Sequence, residues 1–360
     1  MSTTSDSQAP DHQTTSSKCY QLLPEWAPQS GVMLTWPHAN SDWAPFLTQV
    51  EPVFYQIAES IAHREKVLIT VASDTKKREI IAHFTQLNLQ TELRVFVQET
   101  NDTWARDHGP ITVTKDDKPL LLDFIFNGWG NKFDARLDTA LNRKLAKASA
   151  FNCDLEPVDL VLEGGSIESD GHGTLLTTSE CLLASTRNPS MDKAAIEALL
   201  SETFGLKRTL WLDYGYLAGD DTDSHVDTLA RFCDPHTIAY VQCTDESDEH
   251  YPALKAMENQ LKAFTDYQGQ AYKLVPLPMA EPCFSDEGDR LPATYANFLI
   301  INGAVLLPIY GNEQLDQQAI EQIKSAFPNH EIIAINCRPI VEQYGSLHCL
   351  TMQLPEGVLV

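Results

Sequence analysis

The sequence predicts an α/β chain folded as one domain. Three observations carry that expectation. Short strand-like runs alternate with helical stripes along the whole length. No Pro-, Gly- or Ser-rich linker divides the middle. A chain of 360 residues that is 43% hydrophobic can build a large core.

The strand-like runs are Gly31 to Trp36, Val67 to Val71, Leu120 to Phe126, Leu160 to Leu162, Thr237 to Val241, Phe298 to Ile301 and Ala304 to Pro308. Leu47, Val50, Phe54, Ile57 and Ile61 recur every three or four residues, which is the spacing of one helix face. Ser190 can cap a second helix running to Phe204 and stopped by Gly205. A third stripe follows Pro252 (Leu254, Met257, Leu261, Phe264), and a fourth (Ala319, Ile320, Ile323, Phe327) ends at Pro328. Each stripe reads as core. No close internal sequence repeat is visible. Residues 1–18 are polar and rich in Ser and Thr, and read as a disordered tail preceding a single domain over 19–360.

Charge narrows the function classes. Twenty-six Lys and Arg face 50 Asp and Glu, a formal net charge of −24. Such a chain repels nucleic acid and anionic membrane surfaces and attracts small cations, although acidity also serves plain solubility. No apolar run is long enough to span a bilayer, and the N-terminus lacks a signal peptide's basic start and apolar stretch. The eight cysteines form no CxxC pair, so they read as reduced thiols of a cytoplasmic protein.

Dinucleotide, P-loop and nucleophile-elbow motifs are absent. Four segments concentrate polar residues beside apolar runs and tight turns. In Asn101 to Pro110 (NDTWARDHGP) an acidic loop can hold a carboxylate at a cleft edge; a helix-capping Asp paired with Arg106 is the plainer reading. In Leu162 to Glu168 (LEGGSIE), Glu163 ends an apolar run and two glycines allow a turn or close ligand approach. In Gly219 to Phe232 an extended chain would put His225 and Asp227 on one face. Asp223, His225 and Asp227 could equally ligate a metal, or belong to a solvated loop. In Tyr344 to Met352 an extended chain would turn His348 away from Cys349, and a buried structural Cys is the default reading. Together the segments offer a Cys, a His and several carboxylates, a set suited to attack on a cationic carbon.

With Trp36-Pro37-His38, these motifs over roughly residues 23–355 resemble the agmatine deiminases and Porphyromonas-type peptidyl-arginine deiminases of the guanidino-modifying (pentein) superfamily. The resemblance rests on Asp102 to Pro110, Glu163-Gly164-Gly165, Gly219 to Asp227 and Leu347-His348-Cys349, in the family's order. It implies a five-bladed α/β propeller of ββαβ modules with pseudo-fivefold symmetry and a central site. It implies hydrolysis of a guanidino group, with agmatine as the leading substrate and free or peptidyl arginine as alternatives. Cys349 would be the nucleophile and His225 the general acid/base. Asp107, Glu163 and Asp227 would hold the guanidinium, with Trp104 packed beside it. The family uses no metal or organic cofactor, and it suggests a homodimer.

Two departures fall where specificity is decided. Gln343-Tyr344-Gly345-Ser346 replaces a Gly-Gly-Gly-Asn run, and Ser224 stands where a glycine is usual. An arginine-type substrate would want a cation for its carboxylate, for which Arg106 and Arg231 are the best-placed residues. The rival classes are a non-catalytic binding protein on the same fold and a metallohydrolase built on Asp223, His225 and Asp227.

Overall fold

The computed structural model describes residues 20–87, 89 and 91–359. The polar segment 1–18 lies outside them. Among the described residues, one strand pattern recurs five times. Each module starts with two antiparallel strands, crosses through a helix, and returns with a third strand parallel to the second.

The first module is Ile111–Lys115, Lys118–Ile125 and Leu155–Val161, with helix Leu141–Lys147 in the crossover. The second is Ile167–Ser169, Thr174–Thr178 and Arg208–Leu212, crossed by Lys193–Phe204. The third is Ala230–Asp234, Thr237–Gln242 and Lys273–Pro278, crossed by Tyr251–Ala263. The fourth is Leu299–Ile301, Ala304–Ile309 and Glu331–Asn336, crossed by Glu313–Ala326. The fifth joins the two ends of the chain. Thr351–Pro355 runs antiparallel to Gln29–Thr35, which continues through helix Leu47–Ala62 to Lys66–Val71. This is the pseudo-fivefold pentein arrangement that the resemblance implied.

The helices form where the periodicity placed them. In Leu47–Ala62, the residues Val50, Phe54, Ile57 and Ile61 are fully buried. Truncating Ile57 to Ala should cost about 2–5 kcal/mol. One cap differs from the sequence reading. Asp192, not Ser190, caps Lys193–Phe204 by accepting from Ala195 N at 2.9 Å, and Gly205 ends the helix in the left-handed region (φ 67°). No helix among the described residues is long and apolar enough to cross a membrane.

The recurrence positions the chemistry. The residues just before the first strand of each module face the common centre. These are the short helix Ala105–His108, the turn Glu163 to Ser166, the turn His225 to Thr228, Asn297, and the turn Leu347 to Leu350. The sequence pattern hides this because the modules share a topology and not their residues.

Candidate active site

Asp107 sits on Ala105–His108 and is 4% exposed. Trp129 Nε1 donates to its Oδ2 at 3.0 Å and Gly165 N to its Oδ1 at 3.1 Å. Glu163 is fully buried; Arg187 Nε donates to its Oε1 at 3.1 Å, while Oε2 has no partner. His225 is also fully buried, its Nδ1 3.6 Å from Asp107 Oδ1, and neither ring nitrogen makes a hydrogen bond. Asp227 Oδ2 bonds His348 Nδ1 at 2.7 Å and accepts from Asn297 Nδ2 at 3.2 Å, leaving Oδ1 open. Cys349 Sγ lies 3.4 Å from Asn297 Oδ1 and 3.8 Å from Asp227 Oδ2. The five residues expected from the motifs therefore converge.

Gly165 shows why the turn after Glu163 needs a glycine. A Cβ there would stand 2.7 Å from His225 Nδ1, 2.9 Å from Asp107 Oδ1 and 3.1 Å from Asp227 Oδ2. Any side chain would occupy the space between these groups. His225 and Asp227 do share a face, but not as neighbours in a strand. Asp227 lies in the 3-10 turn Val226–Thr228, which brings both groups back to the centre. Likewise Cys349 lies in a turn, and His348 reaches Asp227 instead of the thiol.

Above Cys349 opens a cavity of about 240 Å³. Aromatic rings of Trp104, Trp129, Phe133 and Tyr344 wall it, and Asp42, Asp102, Asp220 and Asp221 edge it. No Lys or Arg is among its described lining residues. Trp104 is fixed between Trp43, at a 5.5 Å ring separation, and Gly345, whose added Cβ would fall 2.3 Å from Trp104 Cζ3. Tyr344 precedes it at φ 62°. Ser224 also has positive φ, 62°, which explains why a glycine is usual there.

The electrostatics keep the reacting groups uncharged before a ligand arrives. Burial, then Asp227 and Asp107, push the Cys349 thiol well above its ordinary value. Burial lowers His225 to about 3, so it is neutral. Asp107 is raised by burial and by the charges of Asp227 and Glu163. Glu163 is raised by burial against the pull of Arg187. Asp227 goes the other way. Burial raises it, but the His348 hydrogen bond and neighbouring positive charges outweigh that and hold it ionised.

Arg106 and Arg231 do not reach the cavity. Arg106 Nη1 pairs with Glu25 Oε1 at 3.0 Å. Arg231 pairs with Glu25 and Glu168, and its Nη1 donates to Ala296 O at 3.1 Å and Phe298 O at 2.8 Å, clamping both sides of Asn297. Asp223 turns to Arg187 and Lys132, so the trio Asp223, His225 and Asp227 does not assemble a metal site. Sequence reasoning missed Asn297, Trp129, Arg187 and Glu25. Asn297 was legible only as the fourth-module counterpart of the other motifs, a signal that needs the module boundaries first.

Fold and site together define a pentein-type hydrolase acting on the C–N bonds of linear amidines. The sequence pattern of the Porphyromonas-type peptidyl-arginine deiminases matches residues 21–355, and the chain belongs to that family. A Porphyromonas gingivalis structure provisionally named an arginine deiminase is 48% identical, with 95% of this chain and 100% of that one covered and a TM-score of 0.88. The C. jejuni agmatine deiminase, solved as a cysteine-to-serine variant with substrate bound, is 38% identical over 96% of this chain and 99% of its own, also at a TM-score of 0.88. The agmatine deiminase of Medicago truncatula is 31% identical, covering 93% of this chain and 96% of that one.

Proposed function

We propose that residues 19–360 act as one cytoplasmic catalytic domain that hydrolyses agmatine to N-carbamoylputrescine and ammonia. The observation that carries this reading is the cavity over Cys349. It is edged by four aspartates and lined by no Lys or Arg among the described residues. A substrate with a cation at each end and no carboxylate fits that lining. Free arginine would bring a carboxylate to a wall of carboxylates. The arginine readings are favoured by names: that of the Porphyromonas gingivalis structure for free arginine, and that of the family for peptidyl arginine.

Asp107, Glu163 and Asp227 take the guanidinium, which offers paired N–H donors to carboxylate oxygens. Glu163 Oε2 and Asp227 Oδ1 are the open acceptors for it. Trp104 packs beside the chain of the substrate. The arriving cation offsets the negative field around Cys349, and the thiol ionises, its proton passing to His225. The Cys349 thiolate attacks the guanidinium carbon. His225 gives that proton to the leaving nitrogen, the C–N bond breaks, and ammonia departs. The neutral His225 then takes a proton from water, which attacks the S-alkylthiouronium carbon. The C–S bond breaks, His225 returns the proton to the Cys349 sulfur, and the ureido product and free thiol result. None of these steps uses a metal ion or organic cofactor.

The test is ammonia release from agmatine, arginine, an arginyl peptide and a butylguanidine lacking the amine, with Cys349→Ala as control. Agmatine should give the highest kcat/KM and the control no turnover. Turnover of arginine ahead of agmatine would reverse the substrate assignment. Turnover by Cys349→Ala would remove the nucleophile.

A further inference from the structure

Behind the guanidinium-facing groups lies a thiol the reaction does not use. Cys181, on the short helix Ser179–Leu182, is fully buried and does not line the cavity over Cys349. Its Sγ makes no hydrogen bond among the described residues. One ligand atom each from Cys181, Glu163 and His225 lie within 4.8 Å of one another. Two of the three carry open valences in the interior. Glu163 Oε2 and both His225 ring nitrogens are buried without a partner. A bound guanidinium accounts for the open valences of a carboxylate and an imidazole that face it. It does not account for a thiol completing a sulfur, nitrogen and oxygen triad behind them.

We propose that Cys181, Glu163 and His225 form an inhibitory site for a zinc-class divalent cation. A thiolate, an imidazole and a carboxylate are zinc's own donor set, and three protein ligands with a fourth open position are a common tetrahedral arrangement. Hard cations such as Mg²⁺ want oxygen ligands and octahedral space and would be refused. Bond lengths of about 2.0–2.3 Å put the donors of a tetrahedral zinc roughly 3.3–3.8 Å apart. With the three atoms already within 4.8 Å of one another, the triad closes by at most about 1.5 Å on binding.

The local groups tolerate the change. Arg187 can keep Glu163 Oε1 while Oε2 turns to the metal. Neither His225 ring nitrogen is engaged in a hydrogen bond, so one is free to present its lone pair. The Cys181 S–H bond breaks as the S–metal bond forms, and the proton leaves to solvent. The ion would enter by the cavity over Cys349, whose lining includes Thr222 and Asp107. If the reaction proceeds as proposed above, on which this consequence rests, the metal removes the acid/base and a guanidinium carboxylate in one event. Zinc and substrate then exclude each other.

The experiment compares wild type, Cys181→Ser, Cys181→Ala and Cys349→Ser. Co²⁺ serves as probe through its thiolate charge-transfer absorption, and Zn²⁺ affinity is read by competition with a chromophoric chelator. Wild type and Cys349→Ser should bind one equivalent with the thiolate band. Both Cys181 variants should lose the band and at least tenfold in Zn²⁺ affinity. Cys181→Ser should keep basal ammonia release while resisting Zn²⁺. A band that disappears with Cys349 and survives in the Cys181 variants overturns the site, as does wild type that binds neither metal at micromolar concentration. Should one Cys181 variant fail to fold, the other carries the comparison. Basal turnover in the absence of metal reports separately on the proposed reaction, so failure of one reading is not failure of the other.

Discussion

His348 Nδ1 lies 2.7 Å from Asp227 Oδ2, tying the residue beside the thiol to a carboxylate proposed to hold the substrate. Its Nε2 stands 3.0 Å from Arg231 Nη2 and 2.8 Å from Glu25 Oε1; Arg231 can only donate, so the ring carries its proton on Nδ1, towards Asp227, and Nε2 accepts from Arg231. Burial, with Arg106 and Arg231, lowers its basicity. His348 is thus a positioning residue: it fixes Asp227 and keeps it ionised. His348→Ala should lower kcat/KM about 10–100-fold, the worth of one charge-assisted hydrogen bond. His348→Asn, whose amide can replace Nδ1–H, should recover most of the loss. Equal losses in both variants, with intact folding, would mean that His348 only fills space.

The negative field around Cys349 makes a prediction about its titration. Its thiol is raised by burial, then by Asp227 and Asp107. The rate of iodoacetamide alkylation should therefore rise with a midpoint above the ordinary thiol value of about 8.5. Asp227→Asn removes the carboxylate charge that stays ionised beside the thiol and should lower that midpoint by about one unit. A wild-type midpoint below about 7 contradicts the arrangement, as does an unchanged one in Asp227→Asn.

How far the site was legible depended on which residue carried the signal. Polar motifs bounded by apolar runs singled out the segments holding Cys349, His225, Glu163, Asp107 and Asp227, and the resemblance to the deiminases supplied their roles. The local geometry assigned to them was not. Strand alternation put His225 and Asp227 together, whereas the 3-10 turn Val226–Thr228 does so in the structure. Asn297 stayed invisible since a lone amide before Phe298 to Ile301 looks like the start of any buried strand. Glu25 was unreadable for a different reason. Its partners Arg106, Arg231, His348 and Gln353 come from the first, third and fifth modules, and no local pattern encodes such a meeting. Alternation of strands and helices gave the α/β class, but the fivefold order became visible only from strand pairing.

Gly345 sits directly against the Trp104 ring. A Cβ at 345 would lie 2.3 Å from Trp104 Cζ3 and 2.5 Å from Cη2. The ring cannot retreat freely, because Trp43 backs it and is itself anchored by its Nε1–H to Asp102 Oδ1 at 2.8 Å. Gly345→Ala should displace Trp104 into the substrate cavity and lower kcat/KM by about tenfold or more, since small misplacements at a reacting centre are costly. Tryptophan emission should shift in the folded variant. Wild-type kinetics in Gly345→Ala would show that the ring moves without consequence.

Glu65 sets a pH dependence away from the site. It is 4% exposed; its Oε2 accepts from Asn302 N at 3.0 Å and its Oε1 has no partner. Burial raises its carboxyl to about 7, against the Asn302 hydrogen bond and Arg64, which pull it down. Below about pH 4.5 it is protonated in both the folded and unfolded chain, and its contribution to stability is fully present. As pH rises the unfolded chain ionises first, so that contribution is lost progressively until the folded carboxyl ionises near 7. The total loss is up to about 3 kcal/mol. Glu65→Gln cannot ionise. Its Tm relative to wild type should therefore climb between pH 4.5 and 7.5 and level off above, whatever the offset at pH 4.5. Parallel Tm profiles for the two proteins across that range would show that Glu65 titrates as an ordinary surface carboxylate.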